Sequence, residues 1–347
     1  MLFTCKPTPA HAGPETCLQI FSIEVTELSG GLQWPLEVYG LVATRDSVDH
    51  NRSVIFRRRR DASLILTQQD PFLKLTGPSR AVVFAGPVDI EVQLKLKVRT
   101  TEREDDHLIS KVLTYVRDFS SDNSTEAGNR HLARTTCSGR LCSLEVTAAP
   151  LARAIEATVI SAEVTQGRWP KTLGIRVVVS GTAGADEDFV LLDARDGAFR
   201  VDLTDGIIAL TRHVVVVEER GRLKLCIEAY SKRTGCMYEK SGVTELMPKR
   251  SSATIAVCKL AFCTVEFVVG WSCLVPKVGE LTRQNHISLL QDEDANEHSE
   301  HHAKVSLLWQ AFKKRLGQTA ATGNLLHLDS ILHKLDNLDA LETPFSK

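Results

Sequence analysis

At 347 residues, with 43% hydrophobic and 24% charged residues, the chain is long enough to bury two ordinary cores. Lysine and arginine number 42 against 43 acidic residues, and the net charge of −1 gives no bulk attraction to nucleic acid or to an anionic membrane. Nine cysteines, spread over more than 250 positions and odd in number, exclude a small disulfide scaffold, so a reducing cytoplasmic setting is expected.

The amino terminus, MLFTCKPTPAHAGPETC, holds no apolar run of the length a secretory signal needs, and residues 1–16 are expected to be a flexible lead-in. A first unit, residues 17–117, contains LQWPLEVYGLVATRDSVDHNR, where Trp34-Pro35 precedes a strand with one glycine. A proline can open a strand without breaking its ladder. Trp34 and Pro35 are therefore expected to be structural, the ring capping one end of a sandwich core. The competing reading makes Trp34, beside an acidic loop, a platform on which a ligand stacks.

That loop, RDSVD, supplies Asp46 and Asp49 where a C2-type sandwich would place calcium carboxylates. Calcium takes about six to eight oxygens, and the later loop FAGPVD adds only Asp89. Solvated carboxylates, with Asp46 paired to Arg45 or Arg52, are the preferred reading of these three metal candidates. The basic run FRRRRD, Arg57 to Arg60, suits a phosphate contact or a nuclear signal. No aromatic residues interleave it as a nucleic-acid platform requires, so ion pairing at the surface is expected and no nucleic-acid partner.

The clearest periodicity follows. In VDIEVQLKLKV, Val88, Ile90, Val92, Leu94, Leu96 and Val98 fall on one face, with charged and polar residues on the other. That pattern predicts a strand with one dry and one wet face, as in an antiparallel sheet. The polar stretch 118–140 is expected to be a linker, and a second unit, 141–276, repeats the landmarks of the first. Trp169-Pro170 precedes the strand LGIRVVV and the acidic loop GADEDF, with Asp186, Glu187 and Asp188, and Asp193 and Asp196 beyond it. LTDGIIALTRHVVVV echoes LTQQDPFLKLTGPSRAVV, and GRLKLCIEAY, with Leu223, Leu225, Ile227 and Ala229 inward, echoes VDIEVQLKLKV. Three landmarks in one order point to a duplicated unit of about one hundred residues. The alternative is that all sandwiches look alike at this level.

Two cysteine pairs, Cys137/Cys142 and Cys258/Cys263, lack the tight spacing or supporting histidines of a zinc site. Odd spacing in strand-like sequence is expected to send Cys258 and Cys263 to opposite faces. The apolar run 253–275 is long enough to cross a membrane, but Lys259 and Glu266 would each cost about 2.5–3.5 kcal/mol at its centre. From Leu260 onward it is expected to be a buried strand, and no transmembrane segment is expected. Residues 277–347 are expected to be a mostly disordered tail with a helical segment near 303–316, where Val305, Leu308, Phe312 and Leu316 form a stripe. The cluster His298, His301 and His302 is expected to be solvated. The fold class is all-β: two related antiparallel β-sandwich units in tandem, with a short helical or disordered carboxyl-terminal tail.

The run CLQIFSIEVTELSGGLQWPLEVYGLVATRDSVDHNR, followed by LTGPSRAVVFAGPVDIEVQLKLK, resembles a plant family, domain of unknown function 6598, over roughly residues 6–276. The likeness rests on Trp-Pro-Leu, Arg-Asp-x-x-Asp and Leu-Thr-Gly-Pro. It implies a β-rich domain with no assigned activity, and Arg58 and Arg60 match positions that are commonly arginine there. Some members are joined to ribosome-inactivating N-glycosidase domains, whose helix-borne Glu-Ala-x-Arg motif has no counterpart here. The segment HHAKVSLLWQAFKKRLGQTAATGNLLHLDSILHKLDNLDALETPFSK is similar to the stretch preceding the polymerase domain of plant non-LTR retrotransposons, and it stops before any polymerase motif.

No nucleophile elbow, phosphate loop or Cys/His dyad at informative spacing occurs. The expected function is a non-catalytic interaction or accessory module with an unknown protein partner and no cofactor, associated through the family with plant stress or defence. The alternatives are a C2-like calcium or phospholipid module and an accessory domain for an N-glycosidase.

Overall fold

Alternating apolar and polar side chains make strands, and this chain has little other periodicity to offer. A computed structural model describes residues 12–49, 51–98, 105–116, 132–181, 188–195 and 206–274, all within the unit Phe3–Pro276. The first half holds β1 (Glu15–Leu28), β2 (Leu36–Arg45), β3 (Ser53–Arg58), β4 (Leu64–Leu66), β5 (Val88–Leu96), β6 (Asp106–Tyr115) and β7 (Ala133–Ser138). A long strand, β8 (Cys142–Gly167), belongs to both halves. The second half adds β9 (Leu173–Ser180), β10 (Phe189–Ala194), β11 (Val214–Glu218), β12 (Leu223–Ser231), β13 (Met237–Lys240), β14 (Thr244–Leu246), β15 (Ser251–Lys259) and β16 (Cys263–Ser272). Among the described residues there is no α-helix, only a 3-10 turn at Arg60–Ala62.

These strands form three antiparallel sheets. The shared sheet has the order β1-β8-β16-β15, with β7 and β11 also paired to β8. One outer sheet runs β3-β2-β5-β6 with β4 on β2, the other β10-β9-β12-β13 with β14 on β12. The pairings of the two halves run in the same order: β7-β8-β1 matches β15-β16-β8, and β3-β2-β5 matches β10-β9-β12.

Successive side chains of a strand point to opposite faces, and β8 uses both. Leu144, Val146 and Ala148 enter the first core with Leu18 and Ile20, while Ala149 and Leu151 enter the second with Cys17. The two cores therefore lie on opposite faces of one sheet. Polar groups seal the junction. Arg212 donates to the carbonyls of Ile20 at 2.7 Å, Phe21 at 3.1 Å and Gly77 at 2.9 Å, with its guanidinium 3.8 Å from the centre of the Phe189 ring. Burial pulls that guanidinium down to about 9, so it stays charged at neutral pH. The Gln19 side chain accepts from the Val216 N–H, and buried Glu156 accepts from the Ala81 N–H.

The structure moves several boundaries. β1 begins at Glu15, inside the stretch read as a flexible lead-in, and Gly13 bridges to Leu274. The expected linker ends in β7, hidden from pattern reading because Arg134, Thr136 and Ser138 face solvent and only Cys137 is fully buried. No boundary falls at residue 141, since β7 and β8 pair directly. Val98, read as inward, lies past the end of β5 and is exposed. Most of the β15–β16 hairpin falls within the apolar run 253–275, and no helix among the described residues is long and apolar enough to cross a membrane. Residues 118–131 and the tail 277–347, with its helical stripe and histidine cluster, lie outside the described residues.

Candidate functional site

The residues singled out by sequence are mostly engaged in holding the fold. Asp46 is buried at the end of β2, and both its oxygens are taken. Arg80 grips it with two hydrogen bonds at 2.6 and 2.8 Å, and the N–H groups of Val48, Asp49 and Val83 donate at 3.0, 3.0 and 2.9 Å. Such a carboxylate has no lone pair to spare for calcium. Its partner is Arg80, not Arg45 or Arg52, which both clasp Glu91 instead. Burial alone would raise the Glu91 carboxyl, and the two arginine hydrogen bonds outweigh it, leaving the group below its usual value. Asp49 is half-exposed, its nearer oxygen 3.9 Å from Arg80 Nε, and Asp89 accepts from the Thr114 hydroxyl at 2.6 Å. In the second half Asp188 pairs with Arg176 and Asp193 with Arg195, while Asp186, Glu187 and Asp196 lie outside the described residues. No group of three metal-binding side chains occurs among the described residues.

The tryptophans differ. Trp169 is buried, its Nε1–H donates to the Leu173 carbonyl at 3.2 Å, and Phe262 meets it edge-on at 5.2 Å. Trp34, joined to Pro35 by a cis peptide bond, is only partly buried against the first core. Of the eight described cysteines seven are buried and Cys236 is exposed. Cys258 and Cys263 sit on two strands of a hairpin and both point into the second core, because the turn at residues 260–262 resets the alternation. Burial pushes the thiol of Cys263 up to about 11 and that of Cys142 up to about 12. Of the basic run, Arg60 is fixed to Asp105 at 2.6 Å, and the Tyr39 hydroxyl donates to the same carboxylate at 2.9 Å.

Asp105 leads to a feature that sequence reading missed. An open cleft of about 720 Å³ runs between the start of β6 and the β7–β8 turn, lined by residues 105–111 and 138–140. β6 is an end strand of its sheet, as is β3 at the other side. The Lys97 N–H bonds to the Glu37 carbonyl, so odd residues of β5 turn their backbone toward β2 and even residues turn theirs toward β6. Their partners Ile109, Lys111, Leu113 and Tyr115 bond to β5. The N–H and C=O groups of Ser110, Val112 and Thr114 consequently face the free edge, and no strand among the described residues pairs with them. Ser110, Lys111 and Val112 are all exposed. The one sequence signal was weak: DHLISKVLTY alternates poorly, and a lysine stands where the inward face needs an apolar residue.

Comparison with known proteins gives a family and little more. The profile of "Domain of unknown function (DUF6598)" matches residues 17–269. No curated protein matches the chain. Among solved structures, human GIVD cytosolic phospholipase A2 is similar at 11% identity and a TM-score of 0.22, over 75% of this chain and 33% of that one. Extended-Synaptotagmin 2, in a structure of its SMP domain and two C2 domains, is similar at 10% identity and a TM-score of 0.24, over 75% of this chain and 57% of that one. The chain thus spans less than two thirds of either structure, and TM-scores this low leave no shared fold to argue from.

Proposed function

The chain belongs to the DUF6598 family, and from that premise we propose that it is a non-catalytic interaction module binding an extended segment of another protein along β6. The observation that carries this reading is the free edge itself. Three alternate residues with outward-facing backbone, Ser110, Val112 and Thr114, offer six backbone groups beside an open cleft. An edge of this kind is a template for another strand, and main-chain hydrogen bonds supply affinity in such complexes. Asp46 is held by Arg80 and seven of the eight described cysteines are buried, which supports a binding reading over a catalytic one.

A panel of extended nonapeptides tests the reading by fluorescence anisotropy on the full chain. Binding should be measurable, and Val112→Pro, which deletes one free-edge N–H without touching the bonds to β5, should weaken it at least tenfold. Peptides that bind Val112→Pro as well as the parent protein would refute edge pairing.

A further inference from the structure

We propose that the segment accepted by β6 is acidic, carrying a carboxylate at the position opposite Lys111; this rests on the edge-pairing reading above. The register decides the geometry. Ile109, Lys111, Leu113 and Tyr115 alternate along one face of β6, the face that looks toward the first core. Ile109 is buried there, yet Lys111 is exposed, because β6 ends its sheet and the cleft opens beside it. An inward-facing lysine on an end strand is a common guard against self-association, since an added apolar strand would bury the ammonium unpaired. The same geometry admits a strand that brings a carboxylate to that point. Opposite charges across a strand pair favour association, and like charges oppose it.

Other charges in the cleft reinforce the preference. Arg140 is exposed on the β7–β8 turn, and neither Arg140 nor Lys111 has an ion-pair partner among the described residues. His107 lines the same cleft. Of the two acids there, Asp105 is neutralised by Arg60 and also holds the Tyr39 hydroxyl and the Val98 N–H. Only Asp106, among the described residues lining the cleft, stands against the two cations. The walls therefore present net positive charge beside a row of backbone groups that no described strand pairs with, a combination that suits an extended acidic peptide.

Two nonapeptides of alternating threonine and valine, one with glutamate at its centre and one with lysine, provide the test. The glutamate peptide should bind the full chain more tightly by roughly fivefold per charge pair formed, and the advantage should shrink as salt screens it. Lys111→Gln should remove most of the preference, and Lys111→Glu should invert it, with an unchanged melting temperature because the side chain is exposed. If both peptides bind alike and Val112→Pro still abolishes binding, edge pairing stands and the acidic preference is wrong. If neither binds, both are wrong. A short single-stranded oligonucleotide binding as tightly as the glutamate peptide would also overturn the inference, by reassigning the cleft to phosphate.

Discussion

The two halves share a strand order but close their sides differently. In the second half β14, a strand of the outer sheet, reaches β15, where the Thr244 hydroxyl donates to the Val257 carbonyl at 2.6 Å. Close by, Glu239 accepts from the Ala261 N–H at 2.7 Å, and Phe262 bridges buried Trp169 to exposed Tyr238. In the first half the corresponding strands β6 and β7 leave the cleft, and the matching tryptophan, Trp34, is only partly buried. The Thr244 hydroxyl thus ties β14 to β15 on one sandwich side, whereas on the matching side the cleft opens between the start of β6 and the β7–β8 turn.

The largest expected effect tests whether the halves depend on each other. Arg212→Ala removes the donor to three carbonyls of the first half, Ile20, Phe21 and Gly77. Each buried acceptor left unsatisfied costs about 1–3 kcal/mol, so urea unfolding should report a loss of several kcal/mol in a single transition. Two separate transitions in the parent protein would break the picture of one shared sheet.

Next in size are the tryptophans. Trp169→Ala should cost about 3–5 kcal/mol, the range for a buried aromatic. Trp34→Ala should cost less, about 1–2 kcal/mol, since part of its surface is already in water. Equal losses in denaturant would erase the difference between the two corners. A smaller effect sharpens the contrast at the sandwich sides: Thr244→Val deletes the hydroxyl that ties β14 to β15 and should cost about 1 kcal/mol. The matching change on the open side, Ser110→Ala, should be neutral within about 0.5 kcal/mol. The smallest expected effect is none. Millimolar calcium should leave the melting temperature unchanged, because Arg80 and three N–H groups fill Asp46. A bound ion at one hundred times its dissociation constant would add about 2.7 kcal/mol, and a shift of that size would return Asp46 and Asp49 to the metal reading.

Sequence pattern made much of this fold legible, for a physical reason. The alternation in VDIEVQLKLKV is imposed by one dry and one wet face, and Val88, Ile90, Val92, Leu94 and Leu96 are buried as it demands. In GRLKLCIEAY Leu223, Leu225, Ile227 and Ala229 are buried as well, but so are Cys226 and Glu228 on the other face. Pairing across distance was not legible. Asp46 meets Arg80 from 34 residues away, and Arg212 reaches Ile20 across 192. Nothing local in RDSVD or LTRHV records those partners. β8 was hidden as well: its cores change face between Ala148 and Ala149, which blurs any single alternation. The candidate site was the least legible part. A free edge is defined by the strand that is not beside it, and local residues carry that only as the exception of Lys111 on an inward face.

Amide hydrogen exchange, read residue by residue with and without the glutamate peptide, tests the central claim most directly. The free-edge amides of Ser110, Val112 and Thr114 should exchange quickly in the unbound protein and become protected on binding, while those of β15 stay unchanged. Protection gathered on β15, with Ser110, Val112 and Thr114 exchanging as fast as before, would contradict the assignment of the binding edge to β6.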